Sequence, residues 1–342
     1  MRIALDGMGG DRAPSVVVEG AAQALDQGPP DLEITLVGQA EALEPELKRV
    51  GLSGGRVKLQ EASQVAGMGD SPSSVLRHLR DCSIRVAYDL HKAGEVDAVI
   101  SAGNSGATMA VGMVVMGRLP EVDRPALASV LPGLSGPTVI IDVGANVDCS
   151  SLMLLQFGYM GSVYAETVLG IADPKVGILS IGEESGKGNT VVKQAYDYLK
   201  NSPLNFTGNV EGRDLLDGDV SVVVCDGFVG NVCLKLAEGL VENLKELMKR
   251  EVLSTIRGKL GGMLLMPTLK SLGLRLDYAQ YGGAPLLGIN GVAYICHGAS
   301  SAQAIASAVR MASESVAGDF SSHLAEGLER YRGALLGFDE PV

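Results

Sequence analysis

The chain contains no tryptophan, and aromatic residues make up only 4% of its 342 positions. Any core must therefore be filled by aliphatic side chains. Cysteines number five, lie far apart and form no Cys-x-x-Cys pair. An odd, scattered set excludes a secreted disulfide framework and fits a reducing cytosol. No His-Glu-x-x-His run or clustered Cys/His ligand set occurs, so no metal is expected. Positive charge is scarce, with 28 Lys+Arg against 40 Asp+Glu and a net charge of −12. That balance excludes a general nucleic-acid binder, which needs a basic face. Linkers, low-complexity tracts and fixed-period repeats are missing as well. Only Arg2-Ile3-Ala4-Leu5 precedes Asp6, so no signal peptide is expected. Ala98 to Gly117 carries no charge but holds Ser101, Asn104, Ser105, Thr108 and four glycines. Such polar content predicts a strand, a polar loop and a buried helix rather than a membrane span.

Hydrophobic residues reach 46%, glycines number 45, and mean hydropathy is +0.22. Disordered and fibrous classes are thereby excluded. The length points to one large domain or two intimate ones. Val, Ile, Leu and Ala with many glycine turns suit a mostly parallel sheet covered by helices. A recurring unit supports this: a short apolar run followed at once by glycine and small polar residues. Residues 2–5 lead into Asp6-Gly7-Met8-Gly9-Gly10-Asp11, and 97–101 into Ala102-Gly103-Asn104-Ser105-Gly106. Residues 138–141 lead into Asp142-Val143-Gly144-Ala145-Asn146. Residues 176–181 lead into Gly182-Glu183-Glu184-Ser185-Gly186-Lys187-Gly188-Asn189, and 221–225 into Asp226-Gly227-Phe228-Val229-Gly230-Asn231. Ala237, Leu240, Val241, Leu244, Leu247 and Met248 continue the last loop at helical spacing. In an open α/β sheet such loops share the carboxyl edge of the strands. The five are therefore expected to converge on one crevice for a polar ligand, although each alone is also a tight turn.

Several chemistries fail on spacing. Gly182 to Gly188 is one residue short of a Walker A loop and ends in glycine rather than Ser or Thr. Arg12 occupies the last glycine position of a dinucleotide fingerprint. Gly103-Asn104-Ser105-Gly106-Ala107 lacks the glycine two places after serine that a hydrolase elbow requires. What remains suits anion binding without a metal, a cofactor or a covalent nucleophile. Lys187, flanked by Gly186 and Gly188, can neutralise phosphate or an oxyanion, or be a solvated loop lysine. Arg213 can clamp phosphate or pair with an acid. Asn104, Asn146 and Asn231 offer amide donors, or cap helices. His297 can donate a proton or be structural. Cys225, ending a run of valines, reads as core. Asp6, Asp142 and Asp226 can orient cations and backbone groups, or stabilise turns.

Between Lys245 and Leu276 seven basic residues (Lys245, Lys249, Arg250, Arg257, Lys259, Lys270, Arg275) face two acidic ones (Glu246, Glu251). The apolar run Gly261-Gly262-Met263-Leu264-Leu265-Met266-Pro267 lies within this segment. A basic segment with an apolar tip fits an anionic partner or membrane surface, or a helical hairpin packed on a dimer mate.

Taken in order, these blocks resemble the acyl-acyl carrier protein:phosphate acyltransferases of bacterial phospholipid synthesis, the PlsX type. The likeness runs nearly end to end, from Ala4-Leu5-Asp6-Gly7-Met8-Gly9-Gly10-Asp11 to His297-Gly298-Ala299-Ser300. It includes Arg124-Pro125-Ala126, Gly208-Asn209-Val210-Glu211-Gly212-Arg213-Asp214 and Tyr281-Gly282-Gly283-Ala284-Pro285-Leu286-Leu287-Gly288. Departures are small: the family often has Ala at Gly7, Thr at Ser105 and Glu at Ser185. The resemblance implies a three-layer α/β/α fold of the isocitrate/isopropylmalate-dehydrogenase kind. It implies one domain over residues 1–342, with a helical hairpin excursion at about 233–276. It further implies a cytoplasmic homodimer held peripherally on the inner face of the membrane, with no cofactor or metal. The reaction would convert long-chain acyl carrier protein and inorganic phosphate to acyl phosphate, which a glycerol-3-phosphate acyltransferase consumes.

Phosphate is already a nucleophile and a thiolate leaves readily, so positioning and oxyanion stabilisation suffice. Lys187, Asn231, Asn104 and His297 are the expected catalytic groups. Asp6, Gly9, Gly10, Gly103, Ser105, Asp142, Asn146, Gly186, Gly188, Asn189, Arg213 and Asp226 are the expected phosphate and substrate contacts. Arg257, Lys259, Met263, Leu264, Leu265, Met266 and Lys270 are expected to meet the membrane or carrier protein. A dehydrogenase or phosphotransacetylase on the same fold, and a non-catalytic membrane scaffold, are the rival readings.

Overall fold

The computed structural model of the chain describes residues 1–52, 54–275 and 278–336. The strands are β1 (Arg2–Asp6), β2 (Glu33–Gly38), β3 (Val57–Glu61), β4 (Ala98–Ser101), β5 (Ala126–Pro132) and β6 (Pro137–Ile141), then β7 (Val176–Leu179), β8 (Phe206–Val210), β9 (Val222–Val224), β10 (Ala284–Leu287) and β11 (Ala293–Ile295). The helices are α1 (Ser15–Gln27), α2 (Ala40–Arg49), α3 (Pro72–His78), α4 (Ser83–Lys92), α5 (Ser105–Met116) and α6 (Ser151–Thr167), then α7 (Thr190–Lys200), α8 (Gly227–Ser254), α9 (Ile256–Arg275), α10 (Ala302–Ala317) and α11 (Phe320–Leu336).

One sheet takes all these strands in the order β3-β2-β1-β4-β11-β10-β5-β6-β9-β7-β8. Pairing is parallel on both flanks, but β11–β10, β10–β5 and β5–β6 are antiparallel. Three reversals leave β6, β9 and β7 running opposite to β1, β4 and β11. The single shared loop edge expected from sequence is therefore corrected. Loops after β1 and β4 stand at one edge of the sheet, and those after β6, β7 and β9 at the other.

Side chains alternate between two cores, as the period of a strand requires. Ile3 and Leu5 join one, with Val17, Phe157, Leu199, Ile305 and Leu324 from α1, α6, α7, α10 and α11. Ala4 and Val99 join the other, with Val75, Tyr88 and Val111 from α3, α4 and α5. A sheet buried on both faces needs the near-continuous apolar strands seen here. The uncharged stretch from Ala98 divides as expected into β4, a polar loop and α5. No described helix is long and apolar enough to cross a membrane.

Polar residues at strand ends start the helices. Asn104, Asn189 and Asp226 accept from the backbone N–H groups of Ala107, Val192 and Val229 at 3.0, 2.9 and 2.8 Å. Each satisfies a first-turn donor that the helix leaves unpaired. α8 runs 28 residues, about 42 Å at helical rise, and packs along α9. Thr255, in extended conformation, ends α8, and its hydroxyl accepts from Gly258 N–H at 3.0 Å. Gly262 lets Val252 of α8 pack close, since a Cβ there would meet Val252 Cγ1 at 2.5 Å. Met263 to Met266 therefore lie within α9 rather than at the hairpin's tip. Residue 276, the expected end of the excursion, lies outside the described residues.

Candidate functional site

On the face of the sheet that α5 and α8 share, a cavity of about 550 Å³ opens between the two helices. That volume lies within the range of small-molecule sites. β5, β10 and β11 floor it through Leu127, Ser129, Ala284 and Ile295. Ser105, Gly106 and Met109 of α5 form one wall, and Asn231, Leu234, Lys235 and Glu238 of α8 the other. His297, Ser300 and Ser301, after β11, complete the lining with Val143 and Gly144, after β6. The site thus draws on both edges of the sheet, bridged by the antiparallel strands at its centre.

Asp142 organises the β6 side. Its carboxylate accepts from the N–H groups of Leu127, Gly144, Ala145 and Asn146 at 3.0, 3.1, 3.0 and 2.6 Å. The Asn146 amide adds a further bond at 3.0 Å and donates to Pro125 O at 2.8 Å. Burial pushes the Asp142 carboxyl above its ordinary value, and these donors oppose the shift. All its acceptor capacity is used within the fold, so Asp142 shapes the loop, and Asn146 spends its amide donors on the same task. Gly144 adopts φ +139° and faces Asn231, whose Cβ would lie 3.9 Å from a side chain there. A Cβ on Gly230 would run into the Asp142 carbonyl oxygen. Glycine is thus required for α8 to start this close to β6.

Asp6 plays a similar part at the other edge. It is 1% exposed, accepts from Ser101 Oγ at 2.6 Å and Met8 N–H at 3.1 Å, and burial pushes its carboxyl up. Gly9 packs between Asp6 and Gly103, where any Cβ would lie 2.6 Å from Gly103 N. The segment after Gly10 supports the His297 loop through Asp11 N–H to Gly298 O at 2.8 Å and Arg12 to Ser300 O at 3.2 Å. Asp6, Gly9, Gly10 and Gly103 are buttresses and do not line the cavity.

Of the four expected catalytic residues, the structure brings two to the cavity. Asn231 presents an amide with no hydrogen-bond partner among the described residues. His297 accepts the Ala299 N–H on Nδ1 at 3.1 Å, so its neutral ring carries the proton on Nε2. Asn104 is a correction. Its Nδ2 is spent on the carbonyls of Gly67, Met68 and Asp70 at 3.2, 3.1 and 2.7 Å, and its Oδ1 caps α5. Lys187 is exposed on the loop after β7 and is not among the cavity's lining residues. Gly186, Gly188 and Asn189 share that loop, and Asp226 caps α8.

Arg213 pairs with Glu211, Glu183 and Asp214 at 3.0, 3.1 and 3.4 Å. Its guanidinium thus fills the space among three carboxylates close enough together to hold a cation. The expected phosphate clamp is an ion-pair cluster instead.

Sequence reading missed Lys235 and Glu238. The available signal was their spacing of four and seven residues from Asn231, which puts all three on one face of a helix. No nucleophile is armed at the cavity. Burial pushes the Cys296 thiol up to about 12 and that of Cys225 well above its ordinary value, so neither is a thiolate near neutral pH. The Ser105 hydroxyl has no histidine or carboxylate partner among the described residues, and an activated serine needs one.

Arg257 and Lys259 lie on α9 with Met263, Leu264, Leu265 and Met266, which are 63, 84, 56 and 57% exposed. The Lys270 side chain lies outside the described residues. α8 adds a second apolar row, Phe228, Val232, Leu236, Leu240 and Leu244, all at least half exposed. Four-residue steps drift about 40° each, so the row starts beside Asn231 and Lys235 at Phe228 and winds to the far side of α8 by Leu240 and Leu244.

A family described as "Fatty acid synthesis protein" matches residues 1–323. The chain is 50% identical over 329 residues to a phosphate acyltransferase of Geobacter sulfurreducens, covering 96% of this chain and 94% of that one. It is 52% identical over 311 residues to one of Nitratidesulfovibrio vulgaris, covering 91% and 90%. Among solved structures, a phosphotransacetylase from Streptococcus pyogenes shares the fold with a TM-score of 0.63 at 19% identity, covering 96% and 94%. A 4-hydroxythreonine-4-phosphate dehydrogenase from Klebsiella pneumoniae shares it with a TM-score of 0.54 at 12% identity, covering 92% and 97%. A mixed α/β sheet common to acyl-transferring and dehydrogenating enzymes fixes the scaffold and leaves the chemistry to the site. With half its residues shared over nearly its whole length, the chain belongs to the PlsX-type phosphate acyltransferase family and is an enzyme of that class.

Proposed function

We propose that this enzyme transfers a long-chain acyl group from acyl carrier protein to inorganic phosphate. The observation that carries the reading is the composition of the α5–α8 cavity. It joins uncommitted polar groups (Asn231, Ser105, His297) to an apolar lining (Met109, Leu127, Val143, Leu234) with no armed nucleophile. A phosphate oxygen attacks the thioester carbonyl, a C–O bond forms, and the C–S bond breaks. The proton of hydrogen phosphate ends on the leaving thiol, so the reaction needs no external acid or base. Asn231 Nδ2 donates to the developing oxyanion, where a fixed donor contributes about 100-fold or more. His297 Nε2–H donates a hydrogen bond to the departing sulfur. Ser105 positions the phosphate, and the apolar lining takes the first carbons of the acyl chain.

The acyl phosphate is then consumed by a glycerol-3-phosphate acyltransferase. The α8–α9 hairpin holds a homodimer at the anionic inner face of the cytoplasmic membrane, with the exposed apolar rows against lipid or the partner. We assign the domain, residues 1–342, to the isocitrate/isopropylmalate-dehydrogenase-like fold.

The test is to incubate long-chain acyl carrier protein with phosphate and trap product with hydroxylamine. Acyl hydroxamate should appear in step with free carrier thiol, and only when phosphate is present. Thiol release without phosphate would make the protein a hydrolase. Preference for acetyl-coenzyme A over the long-chain carrier would make it a short-chain phosphotransacylase.

A further inference from the structure

Phosphate brings close to two negative charges to a site, and none of the groups assigned above carries a fixed positive charge. Lys187 lies off the cavity, and Arg213 is held by three carboxylates. Lys235 is the one lysine or arginine among the residues that line the cavity. It stands one turn after Asn231 on α8, and its Nζ donates to Glu238 Oε2 at 2.8 Å. The Lys235 side chain is 47% exposed and that of Glu238 18%. The cation thus faces open space while the carboxylate stands deeper against the wall. Asn231, Lys235 and Glu238 form one polar row along α8, opposite Ser105 of α5.

We propose that Lys235 and Glu238 form the phosphate subsite and select phosphate over sulfate. The proposal rests on the reaction above. The Lys235 ammonium binds an ionised phosphate oxygen as a compact point charge. Glu238 accepts a hydrogen bond from the P–O–H group. Near neutral pH a phosphate ion keeps at least one such proton, whereas sulfate keeps none. A carboxylate acceptor therefore holds the protonated oxyanion and repels the fully ionised one of the same shape. An acid beside an anion site, otherwise a liability, becomes the discriminating element.

The same contact serves the chemistry. As the ionised oxygen attacks the acyl carbon, Glu238 takes the P–O–H proton, so acyl phosphate leaves as a dianion. The proton that Glu238 takes passes through water to the leaving thiolate, whose sulfur accepts a hydrogen bond from His297 Nε2–H. One C–O bond forms, one C–S bond breaks, and the proton count is unchanged.

Calorimetric titration of the full-length protein with inorganic phosphate, and separately with sulfate, tests the subsite without depending on turnover. The parent should bind phosphate and not sulfate. Lys235→Met should weaken phosphate binding at least about tenfold, and Lys235→Arg should restore part of it. Glu238→Gln should bind sulfate and lose its preference for phosphate, because the amide can donate to an ionised oxygen. Melting midpoints equal to the parent's establish that each variant is folded. Unchanged phosphate affinity in folded Lys235→Met, or the same phosphate-over-sulfate ratio in Glu238→Gln and the parent, overturns the proposal. A parent that binds phosphate selectively yet forms no acyl phosphate would sink the proposed reaction and leave the subsite standing.

Discussion

The Asp142 carboxylate accepts the Leu127 backbone N–H at 3.0 Å while holding three N–H groups of its own loop. One side chain thereby ties the end of β6 to the start of β5 and fixes the loop opposite Asn231. Asp142→Ala would leave four backbone donors, that of Leu127 buried and the others at least partly open, without this partner. The expected cost is about 3 kcal/mol of stability, measured by urea denaturation. Asp142→Asn should recover part of it, because one amide oxygen still accepts. A destabilisation below about 0.5 kcal/mol would show that the loop holds its shape without this acceptor.

Lys187 provides a contrast with Lys235. An exposed charge away from the cavity is screened by water and salt. Lys187→Ala should therefore keep kcat/KM within about fivefold of the parent. A loss of about 100-fold, the size expected for an electrostatic stabiliser at the reacting atoms, would bring that loop into the site.

His91 sets a pH dependence of stability. Its Nδ1 donates to Val96 O at 3.0 Å, and its Nε2 accepts the Val292 N–H at 3.1 Å. The Nε2 bond requires the neutral ring, and burial lowers the His91 pKa below its ordinary value, outweighing the Val96 bond, which raises it. The folded state thus binds this proton more weakly than the unfolded chain does. The His91 contribution is complete above about pH 6.5 and is lost as pH falls through the lowered folded value. Melting midpoints should be level above neutrality and decline below it. In His91→Gln they should start lower and decline less. An equal slope in the two proteins would assign the acid sensitivity to other groups.

For the hairpin, the double variant Leu264→Glu with Leu265→Glu should no longer sediment with anionic vesicles. Each basic residue at such a surface contributes roughly 1 kcal/mol, and each leucine about 1.5–3 kcal/mol at full burial. Turnover with soluble carrier substrate should stay within about twofold of the parent, since the pair lies off the cavity. Unchanged sedimentation would refute insertion at these residues. Loss of a dimer on size-exclusion chromatography would assign the row to the partner subunit.

Local signals in the sequence account for much of the fold. Apolar runs ending in glycine and small polar residues mark the strands, and Asn104, Asn189 and Asp226 mark helix starts by the short reach of a capping side chain. The direction of the strands was not legible. It depends on the β5–β6 hairpin and on β10, which inserts beside β5 from about 150 residues further along the chain. The same distance effect hid the role of Asn104, whose amide partners lie 34 to 37 residues upstream. At the site, His297 and Asn231 could be found because they stand next to loop glycines. Lys235 and Glu238 could not be found that way, because they sit about two and three turns into α8, a helix whose inward face only the packing reveals.

The central claim is that phosphate attacks the acyl thioester directly, with no acyl-enzyme between. Initial rates with acyl carrier protein and phosphate varied together test it most directly. Direct transfer requires both substrates bound at once, so double-reciprocal lines at a series of phosphate concentrations should intersect. Parallel lines, with carrier thiol released in a burst before phosphate is added, would show a covalent intermediate and contradict the account.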